Sequence, residues 1–221
     1  MKNPINYSLK QEVLIIFILL LVVVSGFIFY GIMPERIPIH WNIQGGVDGY
    51  GSKEFGCFGL PAIMVGVYLM MIVLPYLDPK KDRYRDFAKA YWVIRLILVL
   101  YFAVIYFASS LAAIGYNIPV GRVVVASIAV LFVIMGNYLS KIKPNWFVGI
   151  RTPWTLSNEE VWKKTHQLSG KLFFGVGLIL LFSIVLPINW VFTLMMMLVG
   201  LLVAASVLYS YLLFRKLDKN K

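Results

Sequence analysis

Apolar residues in this chain fall into blocks of roughly 18–25 residues separated by short polar connections, the length needed to cross a hydrocarbon core. The blocks run over 12–33, 55–77, 91–114, 120–139, 172–187 and 190–214. Inside a bilayer no water satisfies the backbone, so such segments cross as helices. The fifth block is short for a span and is expected to recruit 168–171, with the Lys171 stem along apolar surface and its ammonium at the boundary. Hydrophobic residues make up 60% of the 221 residues, against about 45–50% in a soluble domain. The expectation is an all-α, multi-pass protein of the cell membrane with about six transmembrane helices. The first block has a basic start, but its apolar run is longer than a signal core and Met33-Pro34-Glu35 offers no small-residue cleavage pattern, so it reads as a retained span.

The formal charge of +11 would suit nucleic-acid binding if it were spread over one soluble face. Its distribution argues otherwise. With a cytoplasmic N-terminus and alternating connections, only Arg36, Lys53 and Arg122 fall outside, and the other Lys and Arg, from Lys2 to Lys221, fall inside. That asymmetry follows the positive-inside rule and places both termini in the cytoplasm. The basic excess is then topological and attracts anionic membrane lipids, with no direct nucleic-acid partner expected. The one cysteine, Cys57, permits no intrachain disulfide and is expected to pack at the outer end of the second span. The two histidines, His40 and His166, fall on opposite sides, so no metal site and no cofactor are expected.

Two polar connections carry the information. The outer one, 34–54, holds Pro34 and Pro38, which favour an extended Ile37-Pro38-Ile39-His40-Trp41, and then four glycines between Gly45 and Gly51 that favour tight turns. His40, Trp41, Asn42, Asp48 and Tyr50 would give it a recognition surface; the alternative is a turn-rich lid sealing the bundle. Glu35, His40 and Asp48 match no metal-ligand spacing. The basic inner connection 78–90 includes Asp78-Pro79-Lys80-Lys81. The second inner connection, within the motif 136–171, is broken by Pro144, Gly149 and Pro153. There Trp146, Phe147 and Trp154 flank Arg151, a combination suited to cation–π contact. Ser157 to Glu160 reads as a capping box with Ser157 as N-cap, opening a helix that continues into the fifth span with Val161, Thr165, Leu168 and Leu172 on one stripe.

All six tryptophans, Trp41, Trp92, Trp146, Trp154, Trp162 and Trp190, fall near expected boundaries, where an indole anchors at the headgroups. Arg95 lies about a turn inside its span and is expected to snorkel, and no Asp or Glu sits at an expected midplane, which disfavours an ion-coupled carrier. Gly175, Gly177 and Gly200 would allow close helix approach. No HExxH, GxSxG or phosphate-binding glycine loop is present, and no catalytic residue is assigned.

The segments Gly136-Asn137-Tyr138, Lys143-Pro144-Asn145-Trp146-Phe147-Val148-Gly149-Ile150-Arg151-Thr152-Pro153-Trp154 and Glu160-Val161-Trp162-Lys163-Lys164-Thr165-His166 resemble the signature of the SdpI family of bacterial immunity proteins. Ile37-Pro38-Ile39-His40-Trp41-Asn42 with Asp48-Gly49-Tyr50-Gly51 resembles the domain of unknown function that accompanies it. The resemblance divides the chain into an N-terminal membrane domain, 1–114, and an SdpI-like membrane domain, 115–221. It implies a non-enzymatic protein protecting a bacterium from a secreted toxic peptide, which in the best-known member also signals by sequestering a small cytoplasmic autorepressor, a transcriptional repressor. The toxin-facing candidates are then His40, Trp41, Asn42, Asp48 and Tyr50, and the cytoplasmic ones Asn145, Arg151, Trp154, Glu160, Trp162 and His166. The alternative reading is a peptide or lipid transporter or exporter of the cell envelope.

Overall fold

The computed structural model describes residues 4, 5 and 9–219; Lys2 and Lys221, counted above among the inside charges, lie outside the described residues. Helix α1 (Leu9–Ile32) leads into two strands, β1 (Arg36–Trp41) and β2 (Val47–Ser52). A π-helical turn, Phe55–Gly59, continues into α2 (Leu60–Leu77), and a 3-10 helix, Lys81–Phe87, continues into α3 (Ala88–Ala113). Then come α4 (Val120–Leu139), the short α5 (Pro153–Ser157), α6 (Glu159–Ser183) and α7 (Ile188–Asp218). Six of these helical stretches are long and apolar enough to cross a membrane, and they coincide with the six apolar blocks. The fifth is one unbroken helix from Glu159, which supplies the length that its apolar run lacks.

Successive connections lie at alternate ends of the bundle. The strands, 114–119 and 184–187 lie at one end, here the hairpin end; 78–87 and 140–158 lie at the other, the motif end. Ile15, Val22, Met64, Val99 and Tyr106 pack α1 to α3 together. Val125, Ala129, Leu180, Val191 and Leu202 join α4, α6 and α7. A third cluster at the motif end, with Tyr84, Tyr91, Ile94, Leu139 and Trp162, ties the two groups together.

The closest helix approach is between α4 and α6. A Cβ on Gly136 would lie 2.6 Å from the Phe174 backbone nitrogen, and one on Gly170 would lie 2.8 Å from the Gly136 carbonyl oxygen. Gly177 meets Ala129 and Val133 in the same way, as expected of it, whereas Gly175 and Gly200 have nothing within 4 Å of a Cβ position. Hydroxyls join α6 to α7, with Ser169 and Ser206 hydrogen-bonded at 2.8 Å.

Arg95 does not snorkel. Its side chain is 1% exposed and forms a fork to Glu12 of α1, Nη1 donating to Oε2 at 3.0 Å and Nη2 to Oε1 at 2.6 Å. Tyr68 of α2 donates its hydroxyl to the same carboxylate at 2.8 Å, so one acid joins three helices. A bidentate partner within reach makes burial more favourable than stretching to the boundary. Trp162 is likewise no headgroup anchor: it is 1% exposed and its indole donates to the Ile142 carbonyl at 2.9 Å. Cys57 is buried at the hairpin end of its span, as expected, its thiol donating to the Met33 sulfur at 3.3 Å.

Candidate functional site

At the hairpin end the extended segment expected around Ile37 is paired. β1 and β2 are antiparallel, with Ile37 opposite Gly51, Pro38 opposite Tyr50 and His40 opposite Gly49, and the register slips on either side of His40. Asn42 builds the turn: its Oδ1 accepts the N–H groups of Gln44 and Gly46 at 3.0 and 2.9 Å, and Gly45 takes φ +81°. Asn42 is therefore a turn former more than a contact residue. Ile37, 2% exposed, anchors the hairpin against Gly56, where a Cβ would collide with it.

The outward face is polar and aromatic. His40 Nδ1 lies 2.5 Å from Asp48 Oδ1, both side chains well exposed, and the Arg36 guanidinium sits 5.4 Å from the centre of the exposed Tyr50 ring. Trp41, half-buried, borders a groove of about 170 Å³ between the hairpin, α2 and α3, lined also by Pro38, Ile39, Phe55, Ile63 and Ile105. The groove can hold an apolar side chain, and the imidazole–carboxylate pair stands on the same hairpin outside its lining. At its tip the hairpin lies over the starts of α4 and α7, where Gly45 meets Gly121 and Ile188.

The motif end is a buried hydrogen-bond knot. Asn145, 1% exposed, accepts the N–H groups of Phe147 and Val148 at 2.9 and 2.6 Å and donates to the carbonyls of Lys143 and Val148. Asp78, 2% exposed, accepts from the Lys80 N–H at 2.7 Å, the Trp146 N–H at 2.9 Å and the Tyr84 hydroxyl at 3.0 Å. It thereby fastens the 140–158 connection to the preceding one, a role that charge counting in the 78–90 loop gave no sign of. Gly149, at φ +112°, faces His166 so closely that a Cβ would overlap Nε2. The Ile150 N–H donates to that Nε2 at 3.0 Å, and Nδ1 lies 2.9 Å from the Trp162 carbonyl, so a neutral ring protonated on Nδ1 satisfies both bonds. The ring also stacks on Trp162 with centroids 4.1 Å apart. With both nitrogens engaged, His166 is a core residue of the knot.

The helix start differs from the expected one. Ser157 ends α5, and the N-cap of α6 is Asn158, whose side chain accepts the N–H groups of Glu160 and Val161. The capping box lies earlier: Thr152 and Thr155 cap α5 reciprocally, and Thr152 Oγ1 reaches Ser210 of α7 at 3.0 Å. The buried stripe of α6 includes Val161 and Thr165 as read, but is widened by Trp162, His166, Ser169 and Gly170, while Leu168 is only half-buried. Arg151 is exposed and donates to the Trp146 carbonyl at 2.8 Å rather than lying between rings, and Trp154 packs on Tyr211. Glu160 is exposed and pairs with Lys164 at 2.7 Å. Thus Asn145, Trp162 and His166 are interior, and Arg151, Trp146 and Glu160 face outward.

Residues 141–210 match the SdpI/YfhL protein family, and residues 15–65 match a domain of unknown function, DUF1648. The chain is SdpI-like. It is 26% identical over 213 residues to the immunity protein SdpI of Bacillus subtilis (strain 168), covering 96% of this chain and 100% of that protein. No solved structure matches the chain. The first match covers Asn145, Trp162, His166 and Ser210 but not Asp78, and the second covers the hairpin and the α2 wall of the groove but not its α3 wall. With its six apolar helices this is a multi-pass membrane protein.

Asp78→Ala removes the acceptor of two part-buried N–H groups and leaves the Tyr84 hydroxyl only its longer bond to Asn145 among those described, at about 1–3 kcal/mol. The expected readout is protease cleavage within 140–158 under conditions where the parent chain resists it; Asp78→Asn, which keeps one acceptor oxygen, is expected to fall between the two.

Proposed function

We propose that the protein is a membrane immunity protein that gives resistance to a secreted toxic peptide. Both termini lie in the cytoplasm in this reading, so the hairpin faces the exterior and the knot faces the cytoplasm. The observation that carries it is the exposed His40–Asp48 pair and Tyr50 on a hairpin whose Trp41 borders an apolar groove at one end of the bundle. Similarity along the length of an immunity protein supports it. The N-terminal half, 1–114, presents the toxin-facing residues, and the half from 115 to 221 presents an inner surface of Arg151, Trp154 and Glu160. That inner surface receives a cytoplasmic repressor, which the occupied protein holds at the membrane.

Expression in a peptide-sensitive bacterium tests the reading. The parent chain is expected to raise the tolerated peptide concentration, and Trp41→Ala with Tyr50→Ala to remove at least about tenfold of that protection, the loss of a central aromatic contact. Arg151→Ala is expected to spare resistance and weaken repressor capture. Resistance unchanged by the Trp41 and Tyr50 substitutions, at normal membrane abundance, would remove the hairpin from the proposal; no protection by the parent chain against any peptide of a cognate panel would end it.

A further inference from the structure

Two cavities lie along the seam between α3 and α4. The first, at the motif end, is a cleft of about 530 Å³ lined by Arg85, Lys89, Lys141 and Lys143, with Ser140 and Tyr138 at its wall and Asp86 as its carboxylate. The Lys141 ammonium is held 4.3 Å from the centre of the Tyr138 ring. Lys89, Lys141 and Lys143 form no salt bridge among the described residues, while nearby Arg83 pairs with Glu159 and Lys164 with Glu160. Like charges gathered around one cleft repel each other, and an anion between them relieves that repulsion.

The second cavity is a groove of about 420 Å³ lined by Ile97, Leu100, Tyr101 and Val104 of α3 and by Val123, Ser127 and Val130 of α4, among others. Its lining is apolar apart from a serine and a tyrosine hydroxyl. Lys89 and Leu100 are eleven residues apart, as are Ala90 and Tyr101 on α3 and Tyr138 and Ser127 on α4. Eleven residues are about three helical turns and roughly 16 Å, so cleft and groove open on the same face of the helix pair. A free phosphate would need only the cleft, and an acyl chain only the groove. A ligand with an anionic head and an apolar tail uses both.

We propose that the α3–α4 seam is a binding site for a single anionic phospholipid, with its phosphate in the Arg85–Lys89–Lys141–Lys143 cleft and an acyl chain along the Leu100–Val130 groove. Phosphate is also available from soluble sources, and a second copy of the chain could cover the groove, so the experiment separates these occupants.

The full chain, purified and reconstituted in nanodiscs of phosphatidylcholine with a minor share of phosphatidylglycerol, is analysed by native mass spectrometry for retained lipid. One retained phosphatidylglycerol, preferred over phosphatidylcholine, is expected. Lys89→Gln/Lys141→Gln/Lys143→Gln is expected to lower that preference at least about tenfold. Ala126→Trp, which fills the groove, is expected to reduce retention of either lipid. Lys163→Gln/Lys164→Gln removes charge at the same end away from the seam and is expected to change nothing; an equal fall in this variant overturns the proposal in favour of general surface charge. Preference unchanged in the triple variant overturns it as well. Displacement of the lipid by soluble glycerol phosphate at equal concentration assigns the cleft to a free anion. Crosslinking of Val130→Cys between chains in place of lipid retention assigns the groove to a second copy. Unfolding midpoints of the variants, compared with that of the parent, distinguish loss of the site from loss of the fold.

Discussion

Arg95→Ala is expected to cost about 3–5 kcal/mol of stability, the largest loss from one side chain outside the apolar core. The guanidinium and the Glu12 carboxylate are 1% and 7% exposed, and removal of the cation leaves the acid buried with, among the described residues, the Tyr68 hydroxyl to solvate it. The unfolding midpoint in detergent or bicelles, followed by tryptophan fluorescence, measures the loss. The double variant Glu12→Gln/Arg95→Met removes both charges, keeps an acceptor for Tyr68 and is expected to recover most of it, because the single variant's penalty comes from the orphaned charge. A double variant as unstable as Arg95→Ala would show that the pair contributes more than mutual neutralisation. Arg95→Lys keeps the charge but loses the fork and is expected to lie between parent and Ala.

The second large effect is steric. Gly136→Ala places a methyl against the backbone of α6, which unlike a side chain has no rotamer to adopt, and is expected to destabilise by about 1–3 kcal/mol. Gly136→Leu is expected to prevent the two helices from meeting and to abolish recovery of folded protein. The control has the opposite sign: Gly200→Ala, with nothing within 4 Å of its Cβ position, is expected to be neutral or to stabilise by up to about 1 kcal/mol through helix propensity. Denaturation curves of the Ala variants at matched detergent decide the matter, and equal effects at Gly136 and Gly200 would remove the close crossing as the cause.

These two features also mark where sequence reading stops. The spans were legible because a run of apolar residues long enough to cross a bilayer has few other uses, and β1 was half-legible because Pro38 and the later glycines restrict the backbone locally. Pairing was not legible. Glu12 and Arg95 are 83 positions apart, and nothing in either helix alone says that both acid and base face inward. The same limit applies to Gly136 and Gly170, while Gly175 and Gly200, equally small, point into open space. Residue type alone puts the α6 N-cap one residue early, because Ser157 is a good cap by type and only the presence of α5 shows that it is already in use. At the candidate site, residue type marked His40, Asp48 and Tyr50 as surface groups, but could not separate the interior Asn145, Trp162 and His166 from the outward Arg151 and Glu160. All five stand in one polar stretch, and burial there depends on Asp78 from another connection.

The contact between the hairpin tip and the last long helix bears on how the chain is made. Gly45 rests against Ile188, and the ribosome releases the first well before the second. During synthesis the tip therefore has Gly121 of α4 beside it before Ile188 exists, and its support is complete only when the final helix is inserted. A chain arrested before residue 188 keeps the hairpin's exposed groups and their seat on α2 and α3 but lacks the Ile188 support of the tip.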